Sequence, residues 1–399
     1  MNLFALYLLP LYLLLCIYIL YRLVLWLSAC HPIFKRKGLR LVIAAAYFIP
    51  VTALGVGFLL PEGGMKRVFT QIGNYWIGIL AYSVLILLIA EGSGLFLRHW
   101  KKINQQKLRS RKVFVLSGLI CIGAVAAVSV WGIINAKIIR LTPYEITVHK
   151  DGGNFDSINV VLAADLHMGY NIGCSQMEQM VEKINAQDPD LVVIAGDLFD
   201  NNYDAIEDED RLRDILKGIQ SRYGVYACYG NHDIQEPILA GFTFPSDQEK
   251  TSDPRMDAFL ESAGITLLRD EYVLINDSFY LYGRADEERP GRGIKQRQSA
   301  WQFMETMESE KPIIVLDHEP KALDALAEAG VDVDLCGHTH DGQLFPANLL
   351  MKLIWENPYG YLQKGQMHSI VTSGAGLFGP NMRVGTKAEI CTVKINFIP

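Results

Sequence analysis

The stretch VVLAADLH at residues 160–167 combines a strand with the first chemically active group of this chain. Its first part, Val160 to Ala164, is a run of small and branched apolar residues typical of a buried β-strand. Asp165 and His167 follow where such a strand would end. The same arrangement, an apolar run followed at once by Asp, Asn or His, occurs again further along the chain.

Four later apolar runs each lead into a short polar block. The runs are 191–195, 225–229, 313–316 and 333–336, and the blocks are GDLFD (196–200), GNHD (230–233), DHE (317–319) and GHTH (337–340). Groups at the ends of adjacent strands can converge on one rim of a sheet, and strands that alternate with helical segments indicate an α/β fold. Imidazoles mixed with carboxylate and amide oxygens suit Mn, Fe or Zn ions. The pattern therefore predicts a metal site at that rim.

Together the five blocks resemble those of the calcineurin-like metallophosphoesterase superfamily. That pattern is Asp-x-His, Gly-Asp-x-x-Asp, Gly-Asn-His-Asp, a single His and Gly-His-x-His, and all five occur here in order. The chain is most similar to the bacterial YaeI/YkuE-type branch. The features shared with that branch are His318-Glu319-Pro320, the run Gly342 to Pro346, and Gly374-Ala375-Gly376 followed by Pro380, Arg383 and Glu389. The resemblance covers Ser157 to Asn396 and implies a metallophosphoesterase with two mixed sheets packed face to face and helices outside.

The resemblance also implies a dinuclear centre of two divalent metal ions, Mn, Fe or Zn. The implied metal ligands are Asp165, His167, Asp197, Asn231, His318, His338 and His340. Asp197 would bridge the two ions. His232 would donate a proton to the leaving group, and Asp200 would orient His232.

Each block by itself has a simpler interpretation. A His-x-His pair is often structural, Asp197 and Asp200 could cap a helix, and Gly230-Asn231 could form a turn. Five blocks in the family order favour the metal site over these alternatives.

The first part of the chain has a different composition. Four apolar runs, 3–27, 41–60, 75–97 and 113–134, are long enough to cross a bilayer, which takes about 20 residues. Basic residues concentrate in the loops after the first and third runs, and such loops stay in the cytoplasm. We therefore predict a multi-pass protein of the cell membrane whose later part faces the extracytoplasmic side. The mild net charge of -6 indicates no nucleic-acid partner.

The predicted organisation is a transmembrane region at 1–134, a linker at 135–156 and an α/β phosphoesterase domain at 157–399. Three irregular insertions, 234–253, 284–297 and 344–366, approach the polar blocks or strand ends, where substrate-binding loops usually lie. The third is rich in apolar residues, among them Leu350 and Trp355. These side chains either hold a lipid tail or fill the domain's own core, and the sequence leaves both open.

The sequence thus predicts a membrane-anchored, metal-dependent hydrolase of phosphate monoesters or diesters. A lipid-linked or cell-envelope substrate is suggested by the anchoring and the apolar insertion. Two rival interpretations remain: a catalytically idle membrane sensor or scaffold on the same fold, and a transporter with the domain as a regulatory appendage. The apolar spans lack a charged central residue, which weakens the transport interpretation.

Overall fold

The computed structural model describes residues 3–100, 104–236, 238–239, 242–243 and 251–399. The chain divides into two compact units. The first combines Met1–Ile134 with Ile238–Pro245 and Gly379–Met382, and the second contains Asn135–Pro237, Ser246–Phe378 and Arg383–Pro399. Within the predicted insertion 234–253, residues 237, 240–241 and 244–250 lie outside the described part of the chain.

The first unit is mainly helical. Its helices are α1 (Leu3–Cys30), α2 (Lys37–Leu59), α3 (Gly64–His99), α4 (Gln105–Leu108) and α5 (Arg111–Ala136). Among the described residues, α2, α3, α5 and residues 9–30 of α1 are long and apolar enough to cross a membrane. The four predicted apolar helices are confirmed. Helix α3 begins earlier than its apolar run because Lys66, Arg67 and Gln71 are good helix formers that continue the helix beyond it.

A small apolar core joins the first three helices. It contains Cys16, Val51, Trp76 and Leu80. Tyr47 on α2 supports it, since its hydroxyl donates to the Cys16 carbonyl at 2.9 Å and its ring meets that of Trp76 edge-on at 5.1 Å. The hydroxyl thus finds a partner on another helix while the ring remains in apolar surroundings.

An ion pair also links α1 to α3. Arg22 on α1 pairs with Glu91 on α3, and the Tyr18 hydroxyl donates to the same carboxylate. Nη1 of Arg22 in turn donates to the Tyr18 oxygen at 2.8 Å. Both charged residues lie within the apolar helices, and each charge has an opposite charge beside it. The two charges therefore compensate each other between α1 and α3.

Two six-stranded mixed sheets and a short hairpin account for the strands. In spatial order the first sheet is β1 (Ile139–Val148), β14 (Ala388–Phe397), β2 (Ser157–Ala163), β3 (Leu191–Ala195), β4 (Val225–Cys228) and β7 (Ile265–Leu267). The second is β12 (Gly360–Lys364), β13 (Met367–Val371), β11 (Val333–Cys336), β10 (Ile313–Leu316), β9 (Phe279–Gly283) and β8 (Glu271–Ile275). The hairpin, in the first unit, pairs β5 (Ile238–Leu239) with β6 (Phe242–Thr243). Strands β2, β3, β4 and β7 run parallel, as do β9, β10, β11 and β13.

Helices cover the outer faces of the two sheets. They are α6 (Cys174–Asn185), α7 (Glu209–Lys217), α8 (Pro254–Ser262), α9 (Ala300–Met304) and α10 (Leu323–Ala329). A further helix, α11 (Ala347–Ile354), has no buried residue. Residues Val161 and Ala163 of β2 pack with α6, α7 and α8, whereas Val160 and Leu162 pack with the second sheet. This alternation follows from the two-residue period of a strand. The implied two-sheet α/β fold is confirmed.

The segment predicted to be a linker contains a strand. β1 pairs in parallel with β14 over ten residues, from Ile139 opposite Ala388 to Val148 opposite Phe397. Sequence reasoning missed it because Pro143 interrupts the strand pattern and polar residues alternate with apolar ones. Both features are tolerated in β1 because it is an edge strand, with one side unpaired and one face partly exposed.

Candidate metal centre

The predicted polar blocks meet where their strands end. Asp165 and His167 follow β2, Asp197 follows β3, and Asn231 and His232 follow β4. From the second sheet, His318 follows β10, and His338 and His340 follow β11. Parallel neighbours end at the same edge of a sheet, so the two edges bring these side chains together.

Backbone geometry at these strand ends is unusual. Asp165, His167, Asp197, His338 and His340 all have positive φ angles, between 47° and 73°. Such conformations cost of order 1 kcal/mol or more each for non-glycine residues and concentrate at functional sites. These turns at the strand ends allow polar side chains close together in sequence to point towards the same site.

Two motif glycines leave room for the ligand carboxylates. A Cβ atom on Gly230 would collide with Oδ1 of Asp197, and one on Gly337 would collide with Oδ2 of Asp165. Only glycine allows the backbone to approach these oxygens so closely.

One group of ligand atoms comes from Asp165, His167 and His340, which are all buried. The Nε2 atoms of His167 and His340 lie 3.1 Å apart, and His340 Nε2 lies 3.7 Å from Asp165 Oδ1. We refer to these three residues as the first ligand group.

A second ligand group consists of Asp197, His318 and His338, together with the amide oxygen of Asn231. Oδ1 of Asn231 lies 3.0 Å from both His318 Nε2 and His338 Nδ1, and these two nitrogens are 3.2 Å apart. Asp197 Oδ2 lies 3.2 Å from His318 Nε2 and 3.6 Å from His167 Nε2. Asp197 therefore lies between the first and second groups.

These atoms fit divalent cations by their chemistry and their spacing. Imidazole nitrogens lie 3.1–3.2 Å from one another beside the buried carboxylates of Asp165 and Asp197. Lone pairs on atoms this close repel one another, and a bound cation would remove that repulsion. Two ligand atoms about 2.1 Å from one ion and at right angles to each other are about 3 Å apart. The distances of 3.0–3.2 Å within the second group match that spacing.

Burial and charge perturb the acids and bases of the site. Burial raises the pKa of Asp165 to about 6. Burial also lowers the pKa of His232 to about 4. Burial opposes the charge of His318 as well, but the neighbouring Asp197 carboxylate overcomes it and holds the pKa of His318 well above its usual value. Burial opposes the charge of Asp197 too, but the neighbouring His318 overcomes it and holds the pKa of Asp197 well below its usual value.

The predicted proton donor, His232, lies within the site. Its backbone N–H donates to Asp197 Oδ1 at 2.8 Å, and its ring is 5.2 Å from that of His167 and 5.4 Å from that of Phe378. Asn201, and not Asp200, provides the hydrogen-bond partner of the His232 ring, because Nδ1 donates to the Asn201 amide oxygen.

Asp200 lies beside His232, as expected, and also faces a second histidine, His167. Its Oδ1 lies 3.5 Å from Nδ1 of His167, on the side of that ring away from the ligand group. Sequence reasoning missed Asn201, although it directly follows Asp200. Asn201 has a positive φ angle of 59°, so the chain turns between Asp200 and the next residues. The sequence pattern does not reveal this turn.

The second and third insertions have distinct roles in the structure. In 284–297, Arg284 is buried and pairs with Asp317, next to His318. In 344–366, α11 has no buried residue, and Leu349, Leu350, Leu353 and Ile354 are 52%, 55%, 82% and 67% exposed. These four side chains do not fill the domain core.

The fold and the site define a class of protein: an α/β domain in which groups of residues that could hold metal ions lie at the ends of the strands. Comparison with known proteins agrees with that class. Residues 158–342 match the family model of the calcineurin-like phosphoesterases. The chain therefore contains a calcineurin-like phosphoesterase domain, and this match supports hydrolysis of phosphoric ester bonds.

Individual relatives extend this similarity. The chain is 28% identical over 346 residues to "Transmembrane protein with metallophosphoesterase domain" of Danio rerio, covering 80% of this chain and 74% of the relative. It is 28% identical over 265 residues to an uncharacterized metallophosphoesterase of Aquifex aeolicus, covering 66% and 94%. It is 25% identical over 307 residues to the uncharacterized metallophosphoesterase YkuE of Bacillus subtilis, covering 71% and 96%. The four apolar helices and a relative named as a transmembrane protein indicate a membrane protein.

Proposed function

We propose that this protein hydrolyses phosphate esters at a dinuclear centre of divalent Mn, Fe or Zn ions. The observation that carries the proposal is the position of Asp197, whose carboxylate lies within reach of both ligand groups. Asp165, His167, Asp197 and His340 would hold one ion. Asp197, Asn231, His318 and His338 would hold the other.

The two ions, when bound, would neutralise phosphate oxygens and make a water molecule more acidic. The chain's own residues perform the remaining tasks. Asn231 is a neutral ligand, which limits the negative charge that meets an anionic substrate. The strained turns at Asp165 and Asp197 fix their carboxylates before substrate arrives, so little reorganisation is needed during reaction.

His232 is the proposed proton donor to the leaving group. Its Nδ1 is engaged by Asn201, so the ring orientation is fixed and Nε2 is the nitrogen left for the substrate. An anionic phosphate beside that ring favours the protonated imidazole. The ring of Phe378 lies within 6.3 Å of those of His167, His232 and His340 and gives this side of the site an apolar wall.

The idle sensor or scaffold remains the alternative function. An idle domain needs neither a complete set of seven ligands nor an oriented histidine beside them. The convergence of all seven predicted ligands and the contact between His232 and Asn201 favour the enzyme.

We further propose that the substrate is a phosphate ester on a lipid or cell-envelope molecule. Exposed apolar side chains of α11 support this, because α11 leads directly to Trp355, whose ring is 5.1 Å from that of the ligand His338. The basic loops of the first part support an extracytoplasmic location for the domain.

The full-length protein in detergent tests the proposed function. Metal analysis should find two divalent ions per chain, and hydrolysis should be screened on nitrophenyl phosphate mono- and diesters and on phospholipids. Asp197→Ala should lose most bound metal and nearly all hydrolysis, because it removes the one ligand shared by both groups. Asp324→Ala, at an exposed carboxylate on α10, is the matched control and should retain both. Full metal content and normal turnover in Asp197→Ala would contradict the proposal.

A further inference from the structure

The four ligand histidines differ in what lies behind them, on the ring nitrogen that faces away from the ligand groups. Nδ1 of His318 donates to the Ala195 carbonyl at 2.9 Å, and Nδ1 of His167 faces Asp200. Nδ1 of His340 lies 3.1 Å from the Arg383 guanidinium. His338 is reversed, because it presents Nδ1 to the second ligand group and Nε2 to the outside.

Glu319 lies behind His338. Its Oε1 is 3.2 Å from Nε2 of His338, and its Oε2 is 2.6 Å from the Lys321 ammonium. Glu319 is 7% exposed and follows the ligand His318 directly in the chain. Glu319 is therefore the chain neighbour of one residue of the second group, His318, and its carboxylate contacts another, His338.

This contact determines which nitrogen of His338 carries the proton. A Glu319 carboxylate ionised beside the Lys321 ammonium can only accept hydrogen bonds, so it favours the neutral His338 ring that carries its proton on Nε2. The lone pair then resides on Nδ1, which faces Asn231 and His318 at 3.0 and 3.2 Å. Carboxylates behind metal-binding histidines fix the tautomer and strengthen the ligand in this way.

The ring of His338 needs such support because its side chain is 22% exposed, whereas those of His167, His318 and His340 are 0%, 0% and 6% exposed. Trp355 contacts it edge-on at 5.1 Å, and Lys321 lies 5.7 Å from the centre of the Trp355 ring. Contacts with Glu319 and Trp355, and of both with Lys321, therefore fix the His338 ring, which the domain core does not enclose.

We propose that Glu319 is a positioning residue for the second metal position: it fixes His338 as an Nδ1 ligand, and its loss weakens the ion held by the second ligand group while sparing the ion held by the first. This inference rests on the proposed dinuclear centre. The residues behind the first ligand group are different ones, Asp200 at His167 and Arg383 at His340, and neither contacts Glu319 in the described structure.

Metal binding by the full-length protein in detergent tests the inference. Metal-free protein is titrated with Mn²⁺ alone, and bound metal is measured after equilibrium dialysis. Wild type should bind two ions per chain. Glu319→Ala should lower the affinity for one of them by about 10–100-fold and leave the other within about twofold. Glu319→Gln retains an acceptor oxygen and should show a smaller loss at the same position.

Two further measurements separate positioning from general damage. At limiting Mn²⁺, the electron paramagnetic resonance signal of coupled manganese in wild type should give way to that of isolated Mn²⁺ in Glu319→Ala. Glu328→Ala, an exposed carboxylate on α10, should behave as wild type. If Glu319→Ala does not fold, Glu319→Gln carries the test through its partial loss at one position.

The outcomes distinguish this inference from the proposed function. Fewer than two ions in wild type would overturn the dinuclear centre, and the role of Glu319 with it. Two ions in wild type, with both affinities unchanged in Glu319→Ala and Glu319→Gln, would overturn the role of Glu319 alone. An equal loss at both positions would also overturn it, because the proposed effect is selective.

Discussion

The amide oxygen of Asn201 accepts a hydrogen bond from Nδ1 of His232. A second hydrogen bond joins the same two residues, because the backbone N–H of Asn201 donates to the His232 carbonyl at 3.0 Å. This paired contact fixes the ring that we propose as the proton donor. It also separates the tasks of two adjacent residues, because Asp200 supports His167 and Asn201 supports His232.

His232→Ala should therefore leave both metal ions bound and slow turnover of alkyl phosphate esters by about a hundredfold or more. The loss should be much smaller on nitrophenyl esters, whose leaving groups need little protonation. Asn201→Ala should show the same dependence on the leaving group with a smaller loss, because the ring remains but its orientation is no longer fixed. Steady-state kinetics on matched alkyl and nitrophenyl substrates provide the measurement. An equal loss on both substrates would rule out proton donation.

The convergence of the seven predicted ligands could be predicted from sequence because each residue follows an apolar run that forms a strand. The strand end fixes where a side chain such as Asp165 or His338 lies, so order along the chain and the family pattern were enough. The same reasoning located the four apolar helices, whose composition is uniform over about 20 residues or more.

Residues that act through side-chain direction were not predictable. Asn201 and Asp200 are neighbours in sequence, yet one contacts His232 and the other His167. Glu319 belongs to a recognisable sequence block, but its contact with His338 joins β10 to the end of β11 and depends on the fold. β1 was missed for a related reason. An edge strand needs no continuous apolar pattern, because one of its faces is partly exposed and the backbone groups on its outer side have no neighbouring strand.

The ion pair between Arg22 and Glu91 should stabilise the helical unit. Glu91→Ala leaves a charge uncompensated within apolar helices, and breaking a buried pair costs about 3–5 kcal/mol. Because both side chains are about one third exposed, we expect a smaller effect, a fall of several degrees in the Tm of the detergent-solubilised protein. Replacing both residues by Leu should restore much of the loss. Glu62→Ala, which breaks the surface pair with Lys66, is the control and should change the Tm little. Equal Tm values for Glu91→Ala and wild type would show that the pair does not stabilise the helices.

The predicted topology can be tested by labelling single cysteines on intact spheroplasts with a membrane-impermeant maleimide. The background carries Cys30→Ala, Cys121→Ala and Cys174→Ala, because the remaining four cysteines are buried. Glu328→Cys, in the phosphoesterase domain, should be labelled on intact cells. Lys107→Cys, in α4 of the basic segment that precedes α5, should be labelled only after lysis, since basic segments between spans stay in the cytoplasm. The reverse labelling pattern would place the domain in the cytoplasm.

The exposed apolar face of α11 should matter for lipid substrates and not for soluble ones. Burying a Leu side chain contributes about 1.5–3 kcal/mol, so removing two that enter a lipid phase should weaken engagement at least tenfold. The double variant Leu350→Ser with Leu353→Ser changes two side chains that are 55% and 82% exposed, and neither belongs to the ligand groups.

In the full-length double variant, turnover of a phospholipid in vesicles should fall at least tenfold, while turnover of a short soluble phosphodiester should stay within about twofold. Trp301→Ser, at an apolar side chain 55% exposed on α9, is the matched control and should leave both activities unchanged. Equal turnover ratios for lipid and soluble substrates in the double variant and wild type would exclude a role for α11 in lipid recognition. A double variant that melts well below wild type would instead assign these leucines to the stability of the domain.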